Sequence, residues 1–244
     1  MSADQSYQPR LHPLAWDCSL PTLDFTLRNV YRLNFEGTEN LEALSEGGYI
    51  LPKHQSLLDI FLVGILIYRP SRGSAYYIMK DTLPKVFELF GGLCIVREKD
   101  IKAELAAIKA EARIEYPGDN QEAIDNRLAY CKPRQSKIMQ ETQAQKEQIT
   151  AVQTELIRQN EIIVSYPEIT RNYKKSVPVN MGALNGIMRV QEEVNRAIPF
   201  VPVDIEWGAS ALGSKYVPFS KVTITVGEAI YTDDAKTLEQ RLVE

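Results

Sequence analysis

The chain has 244 residues, of which 44% are hydrophobic and 25% are charged. These proportions lie near globular averages and exclude a collagen-like fibre or a wholly disordered chain. The net charge of −4 argues against a general nucleic-acid binder, so we expect no nucleic-acid partner. Three cysteines (Cys18, Cys94 and Cys131) are too few for a disulfide framework, so we expect a reducing, cytoplasmic location.

The beginning of the sequence has no secretory signal pattern, and we expect no membrane-spanning helix. The most apolar stretch, residues 57–68, is shorter than the roughly 18 residues that a spanning helix needs. A helix is predicted to start near Pro21, with these apolar residues on one side: Leu20, Leu23, Leu27 and Val30. We expect it to close an edge of the fold. The alternative is a helix that lies on lipid headgroups.

Short apolar runs rich in β-branched and aromatic residues alternate with helical patterns along the chain. The predicted strands are Tyr31–Phe35, Gly48–Leu51, Ala75–Met79, Leu93–Val96, Glu161–Ser165, Ile198–Ile205 and Lys221–Val226. The predicted helices between them are Ser56–Tyr68, Leu83–Leu89 and Ala183–Arg196. This alternation predicts one α/β domain over residues 1–244, with a mostly parallel or mixed sheet of about seven strands flanked by helices.

Residues 98–160 interrupt the alternation. They begin with a helical pattern, break near residues 116–119 and end in a long Gln-rich segment in which Ile149, Val152 and Leu156 fall at i, i+3 and i+7. No strand pattern occurs there. We therefore predict a helical excursion from the sheet that packs on its own domain. A lid or a surface for a protein partner is the alternative.

Residues 47–60 carry the clearest chemical pattern. A strand is predicted to end at Pro52, so His54 falls in a short loop and Ser56 is positioned to cap the next helix. On one continuous helix His54 and Asp59 would point about 140° apart. With the histidine in the loop, its imidazole can fold back onto the carboxylate, and such a pair is a general base. The alternative is a loop histidine that only makes a capping contact, because this spacing alone is weak evidence.

The context of the pair resembles the first block of the glycerol-3-phosphate and lysophosphatidic acid acyltransferase family, Asn-His-x-Ser-x-x-Asp. The chain has Lys-His-Gln-Ser-Leu-Leu-Asp over residues 53–59. Gly-Gly-Leu-Cys-Ile-Val-Arg over residues 91–97 resembles the second block, and Tyr-Pro-Glu-Ile-Thr-Arg over residues 166–171 resembles the third. The fourth is matched by residues 182–184 and by Ile-Pro-Phe-Val-Pro-Val over residues 198–203. The resemblance covers residues 31–226 without the excursion, and four blocks in order are more specific than one.

The resemblance implies an acyl transfer from a thioester to a hydroxyl. His54 would be the base that takes the proton from the acceptor hydroxyl, and Asp59 would orient the imidazole. The donor would be acyl-coenzyme A or an acyl carrier protein that brings the acyl chain. The acceptor would be a glycerolipid precursor, lysophosphatidic acid or glycerol 3-phosphate. We expect no cofactor, and no metal either, because the sequence offers no cluster of metal ligands and His12 is its only other histidine.

Further positions of the family pattern would bind the acceptor phosphate. Arg97 and Arg171 match the phosphate-binding positions, and a planar guanidinium suits phosphate oxygens. Lys80, which with Leu83-Pro84 resembles a shortened Lys-x-x-Leu-x-x-x-Pro region, is a further candidate. Glu168 and Thr170 would shape the same pocket and hold Arg171.

Two departures from the family pattern leave the acceptor open. Ile169 stands where the family nearly always has glycine, and Lys53 replaces the usual asparagine. One alternative is therefore the same chemistry on another lipid or a soluble metabolite. A second is a non-catalytic member that binds a protein through residues 98–160. The N-terminal helix and the basic residues in 171–175 also lead us to expect a peripheral contact with the inner face of the membrane.

Overall fold

The computed structural model of the chain describes residues 13–54, 56–68, 74–80, 91–95, 98–114, 121–168, 179–208 and 219–243. A seven-stranded sheet lies at their centre, and each predicted strand is present with ends within two residues of the prediction. The strands are β1 (Arg32–Glu36), β2 (Gly48–Pro52), β3 (Ala75–Lys80), β4 (Gly92–Ile95), β5 (Ile162–Val164), β6 (Phe200–Trp207) and β7 (Lys221–Val226).

The sheet has the order β1-β7-β6-β2-β5-β3-β4 and is mixed, as predicted. The five strands from β6 to β4 run parallel to one another. Strand β7 pairs with β6 in the antiparallel sense, and β1 pairs with β7 in parallel. The carboxyl ends of the five parallel strands therefore meet along one edge, which we call the carboxyl edge. Binding sites of parallel sheets form at such an edge.

Six α-helices and one 3₁₀ helix accompany the sheet within the described ranges. They are α1 (Pro13–Val30), the 3₁₀ helix (Thr38–Glu46), α2 (Leu58–Ile67), α3 (Glu98–Ala112), α4 (Gln121–Arg158), α5 (Met181–Val194) and α6 (Ala235–Val243). The predicted helices Ser56–Tyr68 and Ala183–Arg196 are present as α2 and α5. The predicted helix Leu83–Leu89 lies outside the described residues.

The N-terminal helix corrects one prediction, because α1 begins at Pro13 rather than near Pro21. A proline inside a helix removes one backbone hydrogen bond and crowds the preceding turn. Trp16 and Leu20, which come before Pro21, are buried in the core. Their packing stabilises the early turns despite the proline. The helix lies against α2 and β1, as expected for a helix that closes part of the fold.

Two apolar clusters lie on the two faces of the sheet. Helices α1 and α2 contribute to one cluster, and α4, α5 and α6 contribute to the other. Side chains along β2 alternate between them, since Ile50 belongs to the first cluster while Tyr49 and Leu51 belong to the second. All five residues of β2 are buried. A strand covered on both faces explains why its sequence is a continuous apolar run.

The excursion consists of α3 and α4, which pack against each other. The last turns of α4 lie against α5, β4 and β5, and there Ile149, Leu156 and Ile157 are buried. Gln153 is buried as well, and its side-chain oxygen accepts a hydrogen bond of 2.9 Å from the Tyr49 hydroxyl. The predicted apolar stripe thus packs on the chain's own sheet. No helix in the described ranges is long and apolar enough to cross a bilayer.

Candidate active site

His54 lies just beyond the carboxyl end of β2. The Lys53 N–H still donates to the Val203 carbonyl on β6 at 2.9 Å, so the chain leaves the sheet only after that residue. The His54 side chain is 18% exposed, and its ring centroid lies 4.6 Å from that of Tyr166. The imidazole is therefore held at the carboxyl edge while part of it still reaches solvent.

The start of α2 is stabilised by a reciprocal pair of hydrogen bonds. The Leu58 N–H donates to the Ser56 hydroxyl at 3.1 Å, and the Ser56 N–H donates to Oδ2 of Asp59. The Ser56 hydroxyl and the Asp59 carboxylate thus each accept from one backbone N–H near the start of the helix. The cap residue of α2 is Leu57, so the prediction that Ser56 occupies the cap position is off by one residue. The same arrangement turns the Asp59 carboxylate back toward the loop.

Asp59 is completely buried, and its two oxygens face different partners. Oδ1 accepts a hydrogen bond of 3.1 Å from the indole N–H of Trp207, which ends β6. Oδ2 lies 3.4 Å from Nδ1 of His54. The indole of Trp207 and the imidazole of His54 offset the cost of burying the Asp59 carboxylate. The contact leaves Nε2 of the imidazole on the far side of the ring, and an imidazole oriented in this way can accept a proton there.

Glu168 holds the histidine from a second direction. Its Oε2 accepts a hydrogen bond of 3.2 Å from the backbone N–H of His54. Burial raises the pKa of Glu168 to about 7, and the nearby carboxylates of Asp59 and Asp204 act in the same direction. The bond from His54 and the charge of Lys53 lower the pKa in part. Glu168 therefore changes its charge near neutral pH.

Lys53 brings a positive charge to this group of carboxylates. Its Nζ lies 3.3 Å from Oδ1 of Asp204, and its side chain is only 19% exposed. Tyr166, which packs on the His54 ring, is partly buried, and desolvation of its buried hydroxyl raises the pKa of the phenol well above the ordinary value. Tyr166 therefore stays protonated and acts as a packing surface for the imidazole.

The structure brings only some of the predicted site residues together. His54, Asp59 and Glu168 are in mutual reach at the carboxyl edge. Lys80 ends β3 at the same edge. Three further predicted residues, Arg97, Thr170 and Arg171, lie outside the described residues.

Three residues of this site were missed by the sequence analysis. Trp207 and Asp204 reach Asp59 and Lys53 from β6, and neither carries a motif of its own. Tyr166 belongs to the third block, and its place directly before the proline and Glu168 was the available signal. The contacts of Trp207 and Asp204 depend on the neighbouring positions of β2 and β6 in the sheet.

A narrow apolar cleft, partly open to solvent, lies between α1, α2 and β3. Ile60 and Phe61, which directly follow Asp59 in the chain, line one side of it. Other lining residues come from α1 and β3 and include Trp16, Leu20, Tyr77 and Met79. A cleft of this composition suits a hydrocarbon chain rather than a polar ligand. In the described part of the chain, no group of three or more metal-ligating side chains is arranged to hold a metal ion.

Comparison with known proteins completes the description of the site. Among solved structures, the chain is similar to the 1-acyl-sn-glycerophosphate (LPA) acyltransferase PlsC from Thermotoga maritima, with 16% identity and a TM-score of 0.48. The match covers 94% of this chain and 81% of that chain. A search of curated proteins finds no significant match. A model of the acyltransferase family matches residues 32–206, which is more than half of the chain and includes His54, Asp59 and Glu168. This chain is therefore a member of the acyltransferase family of enzymes.

Proposed function

We propose that the protein transfers a fatty acyl group from an acyl thioester to a hydroxyl of a glycerolipid precursor, lysophosphatidic acid or glycerol 3-phosphate. The observation that carries the proposal is the contact of 3.4 Å between Nδ1 of His54 and the buried carboxylate of Asp59. Family membership supports acyl transfer as the reaction. The contact supports His54 as its base, because it orients the ring and leaves Nε2 for the substrate.

The reaction then proceeds without a protein nucleophile. Nε2 of His54 takes the proton as the acceptor oxygen attacks the thioester carbonyl. The Asp59 carboxylate stabilises the imidazolium that forms. When the tetrahedral intermediate collapses, the carbon–sulfur bond breaks and the imidazolium returns the proton to the leaving thiolate. The acyl ester and a free thiol are the products, and the base is restored.

Positive side chains would hold the acceptor. We assign the phosphate to Arg97 and Arg171, with Lys80 as a further cation, on the basis of the sequence pattern. A guanidinium binds two phosphate oxygens at once, which fixes the position of the neighbouring hydroxyl. Glu168 and Thr170 would complete the same pocket. The position of Glu168 beside His54 supports its place in this pocket.

The apolar cleft would take the acyl chain. Its lining residues Ile60 and Phe61 follow Asp59 on α2, and this supports the proposal that a chain bound in the cleft presents its thioester to His54. Burial of each methylene group stabilises the bound chain by about 0.8 kcal/mol. The donor carrier, coenzyme A or an acyl carrier protein, would remain outside the cleft.

A second candidate keeps this chemistry and changes the acceptor. It is favoured by Lys53, which replaces the asparagine that is usual in the family and brings a positive charge next to the base. Ile169, where the family nearly always has glycine, is a second departure from the family pattern. A different acidic lipid or a soluble acidic metabolite would then take the place of lysophosphatidic acid.

Thiol release tests the reaction and the base together. Purified protein is mixed with a long-chain acyl-coenzyme A or acyl carrier protein, and free thiol is measured with and without each acceptor. We expect release that depends on the acceptor and falls at least about a thousandfold in His54→Ala. His12→Ala, which changes the only other histidine of the sequence, is the matched control and should retain activity. Activity in His54→Ala would contradict the assignment of the base.

We further propose that the protein works in the cytoplasm in peripheral contact with the inner face of the membrane. Phe25 on α1 supports this, because its side chain is 72% exposed on a helix that also lines the acyl cleft. Flotation with anionic vesicles tests the contact. We expect co-flotation at low salt that decreases in Phe25→Ser. Equal flotation of both proteins would place the contact elsewhere.

A further inference from the structure

We propose that Lys53 is a positioning residue whose ammonium group, anchored by Asp204, keeps Glu168 in the carboxylate form that holds the backbone of His54. The inference rests on the proposed function, because it assigns a role to residues that surround the proposed base. It concerns a lysine that stands where the resembling family usually has asparagine.

The first step is the contact between Glu168 and the catalytic loop. Oε2 of Glu168 lies 3.2 Å from the backbone nitrogen of His54. A hydrogen bond to an ionised carboxylate is about twice as strong as one to a neutral acceptor. The ring of His54 contacts Asp59 through Nδ1 and packs on Tyr166, and the position of its backbone also contributes to where Nε2 points. An ionised Glu168 therefore holds the base more firmly than a protonated Glu168.

The second step is the charge around Glu168. Among the described residues, the side-chain charges that act on Glu168 are those of Lys53 after β2, Asp59 on α2 and Asp204 on β6, and the backbone N–H of His54 donates to it. Two of them are carboxylates, and both favour the protonated form of Glu168. Lys53 is the lysine in this set, and its charge favours the carboxylate. Without it, a partly buried carboxyl would face two negative groups.

The third step is the anchoring of the lysine. Its Nζ lies 3.3 Å from Asp204, and its side chain is 19% exposed whereas that of Asp204 is 46% exposed. Most of the lysine side chain is buried, so its charge is less screened than that of a surface lysine. Asparagine at this position would supply no charge. Arginine would supply the charge and could still reach Asp204.

The test is the pH dependence of kcat/KM for the wild type, Lys53→Asn, Lys53→Arg and Glu168→Gln. We expect Lys53→Asn to move the acid limb up by about one pH unit, which is about a fivefold loss at pH 7 and almost none at pH 9. Lys53→Arg should stay within about 0.3 pH units of the wild type. In a Glu168→Gln background, Lys53→Asn should cause no further shift of the limb.

Two outcomes would overturn the proposal. One is a loss in Lys53→Asn that is equal at every pH, which would indicate a structural role. The other is a rise in KM for a phosphorylated acceptor with an unchanged acid limb, which would make Lys53 a substrate-binding residue. Neither outcome affects the test with His54→Ala.

A measurement on the protein without substrate separates this inference from the proposed function. Carboxyl carbons of glutamate can be labelled with ¹³C, and the Glu168 signal is identified by its loss in Glu168→Gln. We expect the Glu168 titration to move up by about one pH unit in Lys53→Asn and to stay near that of the wild type in Lys53→Arg. An unchanged titration would refute the role of Lys53, whether or not the enzyme acts on glycerolipids.

Discussion

Helices α2 and α4 use charged side chains in opposite ways. Helix α2 has ten residues and a single charge, Asp59, which is completely buried. Helix α4 has 38 residues and many charges, almost all of them exposed. The charges of α4 are solvated by water, so their positions need not be set by neighbouring residues. The charge of α2 must find every partner within the protein, and the site forms around it.

Helix α4 itself contains the same contrast. Its buried apolar side chains, Ile149, Leu156 and Ile157, all lie in its last ten residues, and before Ile149 most side chains face solvent. We expect substitutions to lower the free energy of unfolding most at buried positions, because a buried group cannot be hydrated by water. These positions are Asp59 and the part of α4 from Ile149 to Arg158, which we call the base of α4. The outer turns of α4 should tolerate change. The following predictions test this contrast.

Asp59→Ala should have the largest effect. It leaves the Ser56 N–H and the Trp207 indole N–H without their acceptor, and it exposes His54 to a cavity. We expect the free energy of unfolding to fall by about 3–5 kcal/mol, together with a loss of activity. Urea denaturation followed by tryptophan fluorescence measures the change. Asp125→Ala on the exposed start of α4 is the control, with an expected change below about 0.5 kcal/mol. Similar values for the two variants would refute the contrast.

Ile157→Ala should have the next largest effect. Ile157 lies in the last turn of α4 and is fully buried in the apolar cluster that α4 forms with α5 and α6. We expect a loss of about 2–4 kcal/mol from the lost apolar contacts and the cavity that remains. Met139→Ala, at a position that is 61% exposed on the same helix, should change the stability by less than about 0.5 kcal/mol. Thermal unfolding of both variants decides whether α4 is anchored only at its base.

Glu168→Gln should increase stability above about pH 4.5, with the gain growing until about pH 7 and constant beyond it. Burial raises the pKa of Glu168 from 4.5 to about 7 in the folded protein. Between these values the unfolded chain has lost the proton while the folded protein retains it, so stability falls as the pH rises. Glutamine does not titrate. After allowance for partial exposure, we expect the variant to be more stable by about 1–2 kcal/mol at pH 8.

The control is the comparison of Glu168→Gln with the wild type at pH 4. Glu168 is then largely protonated in both states, and the two proteins should have nearly equal stability. Urea denaturation at pH 4, 6 and 8 measures the trend. A constant difference at all three values would mean that the effect comes from packing rather than from the charge.

Tyr130→Ala should have the smallest effect. Tyr130 is 86% exposed on the outer part of α4. We expect a change in stability below about 0.5 kcal/mol and unchanged thiol release. A clear loss of activity would show that the outer part of the excursion contributes to the site, and would revive the prediction of a lid.

Much of the sheet was predictable from local sequence. The continuous apolar runs at β2 and β7 identified their strands to within one residue, because β-branched side chains covered by other elements leave a pattern that needs no partner. The start of α1 was not predictable, because Pro21 is a local signal to end or begin a helix. The packing of Trp16 overrode it, and such packing involves residues far away in the chain.

The candidate site divides in the same way. His54, Ser56 and Asp59 lie within six positions of one another, and the geometry of a loop followed by a capped helix predicted that they could meet. Trp207 donates to Asp59 across 148 positions of sequence. Asp204 likewise reaches Lys53 from β6, and no local pattern indicates either contact.

By itself, the sequence determined that the chain forms about seven strands with a helical excursion, and that one imidazole could reach one carboxylate nearby in the chain. These depend on interactions between residues close together in the chain. Only the tertiary structure decided the strand order, the reversal of β1 and β7, and the contacts of Trp207, Asp204 and Glu168 with the loop. They depend on which strands become neighbours, and that is set by the packing of the whole sheet.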